Sequence, residues 1–145
     1  MTAITTRPVR ETHVNVAAGV AAGDSLLRFA LRADATLCAG LGLLIAMTAD
    51  PLSRLSGLSP TSEWIGGAAL VAYGAALYVL AGLPGVRRVG VGVFLGNIAF
   101  AVVVGVVLMA GLLPLTEFGV VASVAFTAVT LAFAYAQYFG VRRLA

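Results

Sequence analysis

Four long runs of the sequence contain no charged residue, and they constrain the fold more than any other feature. They cover residues 35–49, 64–86, 89–116 and 118–141. A helix needs about 20 mostly apolar residues to cross a hydrocarbon core of about 30 Å, and the last three runs exceed that length. Only 10% of the 145 residues are charged, against roughly 25% in soluble domains. The sequence therefore predicts an integral membrane protein.

The first run is shorter than the others. Its 15 residues would form a helix about 22 Å long, so the helix spans the membrane only if it includes about five preceding residues. Asp34 is then drawn below the membrane surface. A transmembrane strand would be about ten residues long and would alternate in polarity, which these runs do not. We therefore predict an all-α bundle of four transmembrane helices over about residues 29–49, 64–83, 89–113 and 118–141.

Arginine positions predict the orientation of the bundle. All nine basic residues are arginines, and eight of them fall on one side of a four-span topology. Six of the eight form a belt next to the spans: Arg28, Arg32, Arg87, Arg88, Arg142 and Arg143. The positive-inside rule makes this side cytoplasmic. Both termini are then cytoplasmic (N-in/C-in), and a multi-pass protein of the inner (plasma) membrane is expected.

The segments outside the spans differ in composition. Residues 1–23 are polar and then small and weakly apolar, so we expect a flexible, disordered cytoplasmic tail there, followed by the membrane domain over 24–145. The connection 50–63 has the Pro, Ser and Gly of an irregular loop. The net charge of +3 reflects orientation, and it favours anionic lipid headgroups of the bilayer as partners rather than nucleic acid.

Three strongly polar side chains lie within the spans, and each is near the cytoplasmic end of its own helix: Asp34, Asn97 and Gln137. The helical rise places them about 6, 13 and 7 Å from that boundary. Because these depths overlap, we predict one polar cluster in the inner leaflet. Its edge is expected to carry a tyrosine and an arginine, drawn from Tyr135, Tyr138, Arg87 and Arg88.

An intramembrane carboxylate is costly and normally faces the bundle interior with a partner. Arg32 lies two residues from Asp34 and so points to nearly the opposite face, which makes a partner from the third or fourth span the better candidate. Two interpretations stay open for Asp34: a structural ion pair or helix-end anchor, and a titrating or ligand-binding group. We interpret Asn97 and Gln137 as residues that form hydrogen bonds between helices, and Cys38 as a small buried apolar residue.

Small residues recur at helical spacing in three spans and predict packed faces. The third span has Gly92 and Gly96 in a GxxxG pattern, and the second has Gly67 and Gly74. The fourth aligns five residues on one face: Ser123, Thr127, Thr130, Ala134 and Gln137. Packing inside one bundle is the favoured interpretation, and a dimerisation face or a hinge is the alternative.

The sequence lacks the patterns of common catalytic and metal sites. It contains no HExxH, no CxxC and no P-loop, and no nucleophile stands with a plausible base. Its one cysteine allows no intramolecular disulfide. We therefore expect no enzymatic activity, no cofactor and no metal site.

Three stretches resemble an uncharacterised family of small bacterial four-helix integral membrane proteins. They are "LLRFALRADATLCAGLGLL", with Asp-Ala early in the first helix, "LGNIAF", with an Asn in the third, and the ending "AYAQYFGVRR", with Gln-x-x-Gly-x-Arg-Arg. The resemblance covers roughly residues 25–145. It implies a four-helix fold in a bacterial membrane and no particular activity.

The small multidrug transporters offer a functional comparison, since they too have four helices and a carboxylate in the first. Their acidic residue is a Glu that lies deeper, in an aromatic-lined cavity. Asp34 is near the edge, is flanked by arginines, and has no nearby Trp or Tyr on its own helix.

These observations favour a non-enzymatic inner-membrane protein, an accessory or structural bundle that associates with itself or with a larger membrane complex. One alternative is a proton-coupled or small-solute transporter that uses Asp34. The other is a module that binds anionic lipid through the cytoplasmic arginines.

Overall fold

The computed structural model describes the backbone of residues 9–144 and the side chains of residues 23–144. This part of the chain forms five helices: α1 (Val9–Met47), α2 (Ala49–Ser56), α3 (Pro60–Leu80), α4 (Val86–Met109) and α5 (Glu117–Arg142). All but α2 contain a segment long and apolar enough to cross a membrane, and in α1 that segment is Gly23–Met47. The prediction of an all-α protein with four membrane-spanning helices is confirmed.

The first helix begins well before the first membrane span. Helix α1 begins at Val9, so residues 9–23 are helical, while residues 1–8 of the predicted tail lie outside the described part. Residues 14–23 are mostly alanine and valine, and alanine has the highest helix propensity of all residues. The weak apolarity of this segment therefore argues against a further membrane span, but it is compatible with a helix.

The connection between the first two spans differs from the prediction, because it contains the short helix α2. This helix ends at Gly57, whose φ of 87° lies in the left-handed region. Pro51 lies in the first turn of α2, where backbone N–H groups have no partner within the helix. The presence of proline and glycine led us to predict an irregular loop here. In the structure the same residues instead mark the start and the end of a helix.

Helix α1 is the centre of the bundle and contacts each of the other helices. Helix α3 packs mainly on α1, and α4 packs mainly on α5. The consecutive helices α3 and α4 share no extensive contact. The bundle therefore consists of two hairpins, joined chiefly where α1 meets α5.

The backbones of α1 and α3 approach each other closely at glycines. A Cβ atom added at Gly67 would lie 2.6 Å from the carbonyl oxygen of Gly42, and one added at Gly74 would lie 2.5 Å from that of Ala35. Such distances leave no space for a side chain. The glycines of the predicted second-span stripe therefore do pack inside the bundle, as small residues do between membrane helices.

The buried apolar core lies at the end of the bundle that carries the belt arginines, called here the arginine end. Leu27 and Leu31 of α1 are completely buried there. Gly90 of α4 and Gly140 of α5 make room for Leu27, since a Cβ atom at either position would come within 2.9 Å of it. This core fixes the helices next to the polar residues described below.

At the opposite end, the last residue of α2 is tied to the start of α5. The Thr116 backbone N–H donates to the Ser56 carbonyl oxygen at 2.9 Å. The Thr116 side chain caps α5 by accepting from the Gly119 N–H, and Ser59 caps α3 in the same way. Side-chain oxygens at such positions satisfy otherwise unpaired helical N–H groups.

Candidate functional site

Asp34, Asn97 and Gln137 form a closed set of hydrogen bonds inside the bundle. Gln137 Nε2 donates to Asp34 Oδ2 at 2.9 Å. Asn97 Nδ2 donates to Gln137 Oε1 at 3.2 Å and, over a longer 3.4 Å, to Asp34 Oδ2. All three residues are buried, with Gln137 0% exposed. The structure thus joins α1, α4 and α5 through the three side chains that the sequence places at overlapping depths.

Helical periodicity explains why these side chains meet. Buried residues recur at steps of three and four along two of the helices: Leu27, Leu31, Asp34 and Cys38 on α1, and Thr130, Ala134 and Gln137 on α5. Residues at these steps share one helix face. The polar residues therefore lie on the same faces that bury the core.

Every described donor to Asp34 is neutral, and together they leave part of the carboxylate free. Both amides donate to Oδ2, while Cys38 Sγ donates to Oδ1 at 3.4 Å. Cys38 is thus buried as predicted, but it also acts as a hydrogen-bond donor. An ionised carboxylate has about four acceptor positions, and a thiol is a weak donor. Oδ1 therefore retains room for a further donor.

No cation pairs with Asp34 among the residues that the structure describes. The salt bridge found there joins Arg28 to Asp24, at 2.8 Å. Within the described residues Asp34 therefore makes no ion pair, and its interpretation as a helix-end anchor stays a prediction. The physical reason for this lack of an ion pair is that amide groups from α4 and α5 already occupy the side of the carboxylate that faces the neighbouring helices.

The belt arginines instead bind groups at the arginine end. Arg28 donates to the carbonyl oxygen of Ala81 at 2.8 Å and so ties α1 to the end of α3. The Arg32 guanidinium lies 5.7 Å from the ring centre of Tyr78, and that of Arg142 lies 5.6 Å from the ring centre of Tyr138. The remaining three are exposed: Arg87, Arg88 and Arg143.

Asp34 lines a cavity of about 320 Å³ between the helices, called here the Asp34 cavity. Three aromatic side chains from three other helices also line it: Tyr73, Phe100 and Phe126. Tyr73 and Phe100 are each 40% exposed, so the cavity reaches the outer surface of the bundle. In a membrane that surface faces lipid.

Two glycines create part of this space. Gly92 and Gly96 line the Asp34 cavity, and a Cβ atom added at either would meet nothing within 4 Å. The third-span GxxxG pattern therefore does not pack against another helix within the described residues. The interpretation of this stripe as packing within one bundle is wrong, because α3 does not close over this face of α4.

In the fourth-span stripe only one of the described polar side chains bonds to other helices. The hydroxyls of Ser123, Thr127 and Thr130 donate to carbonyl oxygens of α5 itself, four residues earlier. Gln137 alone among these polar side chains bonds across to other helices. Hydroxyls in a helix have a backbone acceptor within reach, whereas the longer amide extends past its own backbone.

The aromatic wall of the cavity is the part that the sequence does not single out. Tyr73 directly precedes Gly74, which contacts α1 at Ala35, so its depth matches that of Asp34. Its depth along α3 could have identified Tyr73 as a neighbour of Asp34. That inference, however, requires knowing that α3 packs against α1. The edge residues predicted instead do not line the cavity: Tyr135, Tyr138, Arg87 and Arg88.

Within the described residues, no group of three His, Cys, Asp or Glu side chains is placed to hold a metal ion. The polar part of the site therefore consists of one carboxylate, two amides, a thiol and nearby hydroxyls.

Comparisons with family models, with curated proteins and with solved structures gave no match to this chain.

Proposed function

We propose that this protein is a proton-coupled membrane transporter of a small organic cation, with Asp34 as the group that binds the cation and the proton in turn. One observation carries the proposal: a buried carboxylate with neutral partners lines an aromatic cavity that reaches the lipid-facing surface. This gives more weight to the transporter hypothesis than the sequence alone does, since an aromatic-lined cavity was the feature that Asp34 lacked.

The chemistry of the cavity favours a cation over other ligands. Asp34 supplies a negative charge that no described arginine neutralises. Aromatic faces attract cations, with about 0.5–2 kcal/mol gained per contact. The volume of about 320 Å³ is near the lower end of the roughly 300–1,000 Å³ of small-molecule sites. A protonated amine or a small quaternary ammonium ion satisfies all three conditions.

Asn97 and Gln137 act in this proposal as positioning residues. Their amides hold Oδ2 and leave Oδ1 for the ligand. If the hydrogen-bond network were purely structural, an amide residue could take the place of Asp34 and would avoid the cost of a charge in the membrane. The three residues also belong to the three motifs of the resemblance described above, and we propose that the chain is a member of that bacterial family.

We infer the orientation from the arginines. Belt residues mark the cytoplasmic side of the inner membrane, which places both termini in the cytoplasm. On this orientation Arg87, Arg88 and Arg143, which are exposed, contact anionic lipid headgroups.

Equilibrium dialysis of radiolabelled tetraethylammonium against the full chain in lipid nanodiscs tests the proposal. We expect saturable binding to the wild type, weakened at least tenfold by Asp34→Asn. Lowering the pH weakens binding, because the proton competes for the same carboxylate. The uncharged isostere 3,3-diethylpentane does not compete.

Asp50→Asn is the matched control, because Asp50 is exposed on α2 and distant from the Asp34 cavity. It is expected to bind tetraethylammonium like the wild type. Equal binding by wild type and Asp34→Asn, or no saturable binding by the wild type, contradicts the proposed function.

A second candidate is the accessory bundle that associates with itself or with a larger membrane complex. The observation that favours it is that only 6% of the most apolar window of α4 is buried, and that Gly105 on this helix has open space at its Cβ position. Close backbone approach by another helix is possible at such a site. Light scattering of the protein in detergent tests it: a dimer that Gly105→Leu converts to a monomer supports this role, and a monomeric wild type contradicts self-association.

A further inference from the structure

A second buried acid lies at the end of the bundle opposite the arginines. Glu63, in the first turn of α3, is 8% exposed and accepts a hydrogen bond from the Ser56 hydroxyl of α2. No cation pairs with it among the described residues. Glu63 thus repeats the character of Asp34: a buried carboxylate with a neutral partner.

Glu63 lines its own cavity of about 550 Å³, called here the Glu63 cavity. This cavity and the Asp34 cavity have two lining residues in common, Leu70 of α3 and Phe126 of α5. The same two side chains therefore form a wall with one cavity on each side of it.

Positions along α3 give the spacing of these features. Leu70 lies seven residues beyond Glu63, a helical rise of about 10 Å. Gly74, which contacts α1 at Ala35 beside Asp34, lies eleven residues beyond Glu63, a rise of about 16 Å. The two carboxylates are thus separated by about half the roughly 30 Å hydrocarbon thickness, with the shared wall between them.

We propose that the two cavities are successive halves of one cation pathway across the membrane, in which Glu63 is the second cation-binding residue and Leu70 with Phe126 forms the apolar barrier between the halves. The inference rests on the proposed function of Asp34 as a cation-binding group. Each carboxylate offsets the cost of holding a cation away from water. An apolar barrier between them prevents free leakage while both sites are open.

Uptake of radiolabelled tetraethylammonium into proteoliposomes, driven by a proton gradient, tests the role of Glu63. We expect Glu63→Gln to lower the initial uptake rate at least fivefold, while equilibrium binding at the Asp34 cavity stays within twofold of wild type. Glu63→Asp, which keeps the charge, restores part of the rate.

Glu117→Gln is the matched control. Glu117 is also a glutamate in the first turn of a spanning helix at the same end of the bundle, but it is exposed. Its replacement is expected to leave uptake unchanged.

A chemical probe tests the barrier without relying on transport. Thr130 lines the Asp34 cavity beyond the shared wall, so a Thr130→Cys variant on a Cys38→Ser background reports access to it. A membrane-impermeant trimethylammonium methanethiosulfonate reagent, applied from the Glu63 side of sealed vesicles, is expected to label this cysteine slowly. Adding Leu70→Ala increases the labelling rate at least fivefold, because it opens the wall.

The outcomes separate the two proposals. Wild-type uptake by Glu63→Gln, or an unchanged labelling rate with Leu70→Ala, overturns the pathway while the proposed function of Asp34 stands. Absence of uptake or of tetraethylammonium binding by the wild type overturns the proposed function, and the pathway with it.

Discussion

Gln137 Nε2 donates to Asp34 Oδ2 at 2.9 Å, across 103 positions of the chain. This bond joins the first spanning helix to the last, and Gln137 is completely buried. Water therefore has no access to replace it. The bond is the shortest of those that converge on Asp34.

Gln137→Ala is expected to destabilise the protein by about 1–2 kcal/mol, because it leaves the carboxylate without its nearest donor in an environment that lacks water. Thermal unfolding in detergent micelles measures this. Thr127→Val is the control, since the Thr127 hydroxyl bonds only within α5, and its effect should lie within about 0.5 kcal/mol. Equal losses in the two variants would show that the Gln137 bond contributes nothing.

Asp34→Asn and Asp34→Leu are expected to differ in stability. The asparagine carbonyl oxygen can accept from both amides in place of Oδ2, so this variant should stay within about 1 kcal/mol of wild type. Leucine leaves the donors of Asn97 and Gln137 without that acceptor, at a cost of about 1–3 kcal/mol. The same unfolding measurement tests both, and a larger loss for asparagine than for leucine contradicts the hydrogen-bond arrangement.

Gly96→Ala and Gly74→Ala form a second matched pair. At Gly96 the added Cβ meets nothing within 4 Å, whereas at Gly74 it would lie 2.5 Å from the Ala35 carbonyl oxygen. We expect Gly96→Ala to be neutral or to stabilise by up to about 1 kcal/mol through helix propensity. Gly74→Ala should separate α1 from α3 and cost about 1–3 kcal/mol. Equal midpoints of thermal unfolding would contradict the close α1–α3 contact.

Reporter fusions test the inferred orientation. We expect green fluorescent protein fused after Ala145 to fluoresce in a bacterial host, and alkaline phosphatase at the same position to be inactive, because the belt arginines retain this end in the cytoplasm. Phosphatase inserted after Gly111, in the connection between α4 and α5, should be active. The reverse pattern would place the arginine end outside.

The depth of each polar residue could be predicted because it depends only on helical rise and on where charges interrupt the apolar runs. This reasoning places Asp34, Asn97 and Gln137 at one level, and the structure joins them. The approximate limits of the four spans follow from the same runs, since lipid requires backbone groups to bond within each span.

Neighbouring helices could not be predicted in the same way. Lipid removes the contrast between buried and exposed apolar faces, so the sequence of α4 does not reveal that most of it is unburied. For the same reason Tyr73, Phe100 and Phe126 could not be assigned to the wall beside Asp34. The short helix α2 was obscured because Pro51 and Gly57 are typical both of loops and of helix ends.

The division of the bundle into two hairpins has a consequence for biosynthesis. The ribosome completes α1 and α3 before α4 and α5 exist, so the first hairpin enters the membrane with Asp34 lacking both of its amide donors. These arrive only when the second hairpin docks, because Asn97 and Gln137 belong to it. A nascent chain halted after α3 would therefore hold its carboxylate in the membrane with the weak Cys38 thiol as its described donor. A membrane protease that surveys new proteins could use that state to distinguish an unfinished molecule from a complete one.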